Sequence, residues 1–148
     1  MMSFAPISSG SAAAGYYQKD NYYTRDQATE ASEWQGKAAE ALNLTGPVDE
    51  KQFEELLDGK LPNGIEIKSP KNEHRAGWDI TLSAPKSVSL VALIGGDKRI
   101  EQAMRDSSEA TMAWVEANLV ETRIWDKEQG RQVTVKSDNI AVASFVHD

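Results

Sequence analysis

The chain has 148 residues, 40% of them hydrophobic and 26% charged, which suits one domain of ordinary size and excludes disordered and collagen-like classes. It has no cysteine, so disulfides, thiolate zinc sites and thiol nucleophiles are excluded together, and no apolar run approaches the ~20 residues that cross a bilayer. Sixteen Lys and Arg against 23 Asp and Glu give a net charge of −7, which taken alone disfavours a nucleic-acid partner; a soluble, cytoplasmic protein is expected.

The first residues, Met1 to Gly15, pass from a short strand-like start into a small-residue stretch. Tyr16, Tyr17, Tyr22 and Tyr23 follow, and they are all the tyrosines of the protein. Ser32 to Gln35 has the S-x-x-Q form of a helix capping box, with Trp34, Ala38, Ala41 and Leu42 at helical spacing after it. Leu44-Thr45-Gly46-Pro47 stops that helix. Asp49 with Gln52 is a second start signal, Phe53, Leu56 and Leu57 form an apolar stripe, and Gly59 fits the position just past the helix end. Residues 60–76 lack periodicity and read as a long loop.

Trp78 to Ser83 alternates with period two, which places Asp79, Thr81 and Ser83 on one strand face. Pro85 marks a strand-to-helix junction, and an apolar helix is predicted from about Ser87 to Ile94, ending at Gly95-Gly96. A longer helix from about Asp97 carries Ile100, Ala103, Ser107, Ala110, Trp114 and Ala117 on one stripe. Thr122–Trp125 and Gln132–Val135 read as a hairpin around Gly130, and Ile140–His147 as a further alternating strand. The element order implies an α+β domain, a largely antiparallel sheet flanked by helices.

Three places could carry chemistry. Four tyrosines in two doublets could simply pack the N-terminal segment, but a tyrosine can also be a covalent nucleophile towards phosphorus. Its phenol ionises near pH ~10, so it needs a cation or a base beside it. Asp79 is either a strand-edge residue or a general base, and burying its carboxylate calls for a basic or metal-linked neighbour. His147 and His74 are the two histidines, too few to complete a metal site by spacing. Gly95-Gly96-Asp97-Lys98 lacks the spacing of a phosphate-binding loop.

Together, Tyr16-Tyr17…Tyr22-Tyr23, Trp34-Gln35-Gly36-Lys37 with Ala39-Glu40-Ala41-Leu42, and the run from Gly77 to Ser89 resemble the N-terminal relaxase domain of conjugative plasmid-transfer proteins of the TrwC/TraI type, the MobF class. Leu93 to Asp97 and Phe145 to Asp148 fall in the same order. The resemblance implies a histidine-hydrophobe-histidine endonuclease fold that nicks one DNA strand at a plasmid transfer origin. It implies Tyr16 as the nucleophile that becomes linked to the 5′ phosphate, Tyr22 for a second transfer, and Tyr17 and Tyr23 as supporting residues. It further implies Asp79 as the acidic residue assisting the tyrosine, and His147 as the first of the histidines that hold a divalent cation such as Mg or Mn. Asp79 is expected on the same sheet face as His147, near the tyrosine segment. The implied partners are single-stranded or transfer-origin DNA and other conjugation proteins of the relaxosome, with no membrane. Since the family's remaining H-x-H pair comes later than Asp148, residues 1–148 are expected to be one partial relaxase domain that holds no cation by itself. Two other readings fit the same residues: a non-catalytic remnant that at most binds single-stranded DNA or a protein, and a rolling-circle replication initiator.

Overall fold

A computed structural model of the protein describes residues 1–13, 32–67 and 75–146. Among the described residues, besides a helical turn at 10–13, these elements follow one another: β1 (Met2–Ile7), β2 (Ser32–Gln35), α1 (Lys37–Ala41), α2 (Glu50–Leu57), β3 (Gly77–Leu82), α3 (Lys86–Leu93), α4 (Lys98–Asn118), β4 (Glu121–Asp126), β5 (Arg131–Lys136) and β6 (Val142–Phe145). The expected mixture of helices and antiparallel strands is present, with the pairing divided among three two-stranded ladders: β1 with β3, β2 with β6, and β4 with β5. Among the described residues no helix is long and apolar enough to cross a membrane.

The β1–β3 ladder runs from Met2 opposite Leu82 to Ile7 opposite Gly77. The terminal ammonium of Met1 extends it, donating to the Ser83 carbonyl at 2.8 Å. Pro6 is tolerated because, among the described residues, β1 pairs along one edge only, and at the other a missing N–H breaks no ladder bond.

Helix α2 starts as its sequence predicts: Asp49 caps it by accepting the Gln52 N–H at 3.0 Å. Past its end, Gly59 takes φ 83°, the left-handed turn that favours glycine. Phe53 and Leu57, one turn apart, are buried on its inner face. Around them gather Trp34, Ala39, Leu44 and Val48, joined by Ile7 of β1 and Ala143 and Phe145 of β6. The Phe53 ring meets Trp34 and Phe145 edge to face, with centroids 6.5 and 5.4 Å away. Two strand ladders are thereby seated on one helix.

Two sequence expectations fail here. Ser32 to Gln35 is a strand, not a helix cap: the Ser32 hydroxyl is buried and accepts the Val48 N–H, while Trp34 N–H donates to the Gly46 carbonyl. Helix α1 begins only after Gly36, whose φ of 101° and close approach to the Ile140 carbonyl exclude a side chain. On α4, the predicted stripe through Ala103, Ala110 and Trp114 faces outward, and Trp114 is 58% exposed. Met112 and Glu116 are the buried residues of that helix.

The reason is a carboxylate that hydropathy would place outside. Glu116 Oε2 accepts the backbone N–H groups of Lys37 at 2.8 Å and Ile140 at 3.0 Å. It thus serves the start of α1, which has no side-chain cap of its own, and the approach to β6. Removing it strands two backbone donors, so Glu116→Ala is expected to cost about 2–4 kcal/mol in urea unfolding. Glu116→Gln, which keeps an acceptor oxygen, should lose less than half of that. Equal losses for the two variants would show that side-chain packing, not hydrogen bonding, is what Glu116 contributes.

Candidate functional site

Asp79 lies in the middle of β3, opposite Ala5 of β1, and is half-buried. Its face of the strand also carries Gly77, at which a Cβ would come within 3.2 Å of Leu57 of α2. The carboxylate therefore stands on the side of the ladder that faces α2. Among the described residues no hydrogen bond or ion pair to its side chain is found, so the basic neighbour expected from burial is not seen there. Partial exposure leaves room for water in its place.

The chain enters the tyrosine segment from the same side. Residues 10–13 are helical, Ala13 is buried in the cluster around α2, and the Gly10 N–H donates to Asp58 Oδ1 at 2.9 Å. Gly10 is pressed against α2 so closely that a Cβ would sit 2.5 Å from the Glu54 carbonyl oxygen and 2.8 Å from Asp58 Oδ1. Gly10→Val is expected to lower stability by about 1–3 kcal/mol, since a backbone carbonyl cannot move aside as a flexible side chain can. Thermal and urea unfolding check it, and an unchanged midpoint would mean that this approach is looser than drawn. Tyr16, Tyr17, Tyr22, Tyr23, His74 and His147 lie outside the described residues.

Beside the end of β1 a cleft of about 830 Å³ opens, lined by Ile7 and Ser8 on one wall and by Glu121, Arg123 and Thr134 of the β4–β5 hairpin on the other. Arg75 also lines it, its guanidinium stacked 4.9 Å from the Trp78 ring centroid. Trp78 itself is 55% exposed. The two guanidinium groups of the cleft, beside the Glu121 carboxylate, suit phosphate contacts, since arginine binds phosphate bidentately. Arg123 escapes sequence reading because the strands of an exposed hairpin alternate charge as any solvated strand does. Its neighbour Thr122 and the opposite Thr134 give no signal either.

The TrwC relaxase family profile matches residues 10–148. The chain belongs to the TrwC relaxase family. It is 42% identical over 152 aligned residues to the multifunctional conjugation protein TraI of Escherichia coli strain K12, covering all of this chain and 8% of that protein. The fold matches the conjugative relaxase TrwC solved with OriT DNA in a metal-free form, with TM-score 0.82 and 36% identity over 100% of this chain and 50% of that one. A metal-bound form of the same complex gives TM-score 0.83 and 38% identity, covering 51% of its chain. TrwC with a 27-mer carrying the recognition hairpin and the cleavage site gives 0.81 and 34%, covering 49%. The chain thus spans about half of these relaxase chains and a small part of TraI.

Metal ions are bound in relatives of this family. Among the described residues of this chain, no group of three or more His, Asp or Glu side chains could hold one. Asp79 by itself supplies a single carboxylate, so the described residues do not fit a metal centre.

Proposed function

We propose that this chain supplies the strand-nicking part of a conjugative relaxase, acting on one strand of DNA at a plasmid transfer origin, and that it works in the cytoplasm where that DNA lies. The observation that carries the reading is that relaxases solved with DNA match the whole of this chain over about half of their own length, at 34–38% identity. Residues 1–148 are read as a single partial relaxase domain.

In this reading the Tyr16 phenol oxygen attacks the scissile phosphorus in line. A bond from phosphorus to the tyrosine forms as the bond to the 3′ oxygen breaks, leaving the 5′ phosphate on the protein. The phenol proton passes to Asp79, directly or through water, and is returned to the departing 3′ oxygen. One phosphodiester replaces another, so the reverse reaction reseals the strand without a nucleotide cofactor. Tyr22 performs the second transfer, with Tyr17 and Tyr23 as supporting residues. His147 is the proposed first ligand of a divalent cation, whose site the described residues by themselves do not form.

The strands support this arrangement geometrically. Phe145 and Ala143 of β6 turn towards α2, as Gly77 and Asp79 of β3 do. The Arg75–Arg123 cleft, beside the end of β1, is suited to hold a strand backbone. It answers the objection of an acidic net charge, since what binds phosphate is the local field rather than the sum.

The test uses a complete relaxase domain carrying this chain and a labelled transfer-origin single strand. A covalent protein–DNA species on a denaturing gel, released by protease, is the expected result. Cleavage without a covalent species would replace transesterification by hydrolysis.

A further inference from the structure

We propose that Asp58 is a positioning residue for the first strand transfer: by holding the Gly10 N–H, its carboxylate fixes the stretch of chain that leads to Tyr16. The inference rests on the relaxase reading. Asp58 closes the C-terminal end of α2, where unpaired carbonyls carry partial negative charge and a basic side chain or glycine is the favourable choice. That end instead reads Glu54-Glu55-Leu56-Leu57-Asp58, with no basic residue in its last turn. Backbone N–H groups close the helix there, bonding to the carbonyls of Glu54 and Leu56. The Asp58 carboxylate thus does nothing for α2, and its hydrogen bond runs to another part of the chain, the Gly10 N–H at 2.9 Å. A charged acceptor makes this one of the stronger backbone contacts.

The bond sits where it can act on the nucleophile. Gly10 opens the helical turn at 10–13, so its N–H is one that no carbonyl of that turn can serve. Ser9 serves another, its hydroxyl accepting the Ala12 N–H at 3.2 Å. At the far end Ala13 is buried in the cluster with Trp34, Phe53 and Leu57. Asp58 and Ala13 therefore pin the turn at both ends, and Asp58 is its directional, polar anchor. Tyr16 follows Ala13 by three residues and Tyr22 by nine. Three residues reach at most about 11 Å, whereas nine reach about 30 Å, so the anchor confines the first doublet and leaves the second nearly free of it. Asp58 acts through the backbone, by narrowing the positions from which the Tyr16 oxygen can approach phosphorus. A reacting group misplaced by about 1 Å can slow a reaction by about a hundredfold.

The experiment uses a complete relaxase domain carrying this chain, a labelled transfer-origin single strand at saturation, and a non-cleavable strand for affinity. Asp58→Ala is expected to slow formation of the Tyr16 adduct about tenfold to a hundredfold, with affinity for the non-cleavable strand within about twofold of the parent. Asp58 is exposed, so its truncation removes no core packing. Asp58→Asn keeps an acceptor oxygen and should recover most of the rate. Glu54→Ala removes a neighbouring charge but keeps the backbone carbonyl that meets Gly10, and should react as the parent does. Amide exchange across residues 10–13 should quicken about tenfold in Asp58→Ala. A second transfer by Tyr22, started from the finished Tyr16 adduct, should keep its rate, which a general loosening of the fold would not allow. The proposal is overturned if Asp58→Ala forms the adduct as fast as the parent, if affinity falls along with the rate, if Asp58→Asn restores nothing, or if both transfers slow equally. A parent domain that binds the strand yet forms no adduct removes the strand-transfer reading, whereas a reactive parent beside an unaffected Asp58→Ala removes this proposal alone.

Discussion

Tyr16→Phe is expected to abolish the covalent DNA adduct of a relaxase domain carrying this chain, by at least about a thousandfold in initial rate. Phenylalanine keeps the ring and its packing but has no oxygen to bond to phosphorus, so a loss of this size reports chemistry rather than folding. Tyr22→Phe should leave the first adduct intact and block only a second strand transfer, because one phenol suffices for the first nick. Asp79→Asn should fall between the two, slowing the reaction while preserving the adduct's identity, since a base assists a nucleophile without replacing it. The measurement is a denaturing gel with a labelled origin oligonucleotide and each variant in turn. Undiminished adduct with Tyr16→Phe alone would transfer the nucleophile's role to Tyr22 or to the second residue of a doublet.

The second large effect concerns the cation. Titrated by calorimetry with manganese or nickel, the 148-residue chain is expected to bind more weakly than about 0.1 mM, and to leave an origin strand uncut. Protein sites that hold a catalytic cation gather about three ligands in a preformed geometry, and one imidazole is a poor chelator. The sequence has two histidines, and the described residues bring no three acidic or histidine side chains together. Micromolar binding with cation-dependent cleavage would show that the ligands are other residues of this chain and that it is an enzyme unaided.

Much of the framework was legible because its signals are local. Asp49 and Gln52 announce α2, the alternation from Trp78 to Leu82 announces β3, and Gly130 sits at φ 63° in the turn between β4 and β5. What failed depended on partners distant in the chain. Ser32 carries a cap-like spacing to Gln35, yet its hydroxyl is engaged by the backbone of Val48, and Trp34 by Gly46. The buried face of α4 is chosen by Glu116, and no hydropathy pattern selects a glutamate for burial. The site divides the same way. The tyrosine doublets stand out as composition, and Asp79 as a charge within an apolar strand. The Arg75–Arg123 cleft exists only because a loop, β1 and a hairpin meet.

The ladders also set the order in which the protein can be made. β1 pairs with a strand that ends at Leu82, and β2 with one that ends at Phe145. Glu116 gains its second partner, after Lys37, only once Ile140 has been synthesised. Contacts of such long sequence separation are slow to close and cannot form while the later strand is still in the ribosome. The N-terminal part of a nascent chain therefore waits, with the faces of Trp34 and Phe53 that meet β6 uncovered, until residues 142–145 are added. The pairing of β2 with β6 therefore stays unformed until translation has passed β6.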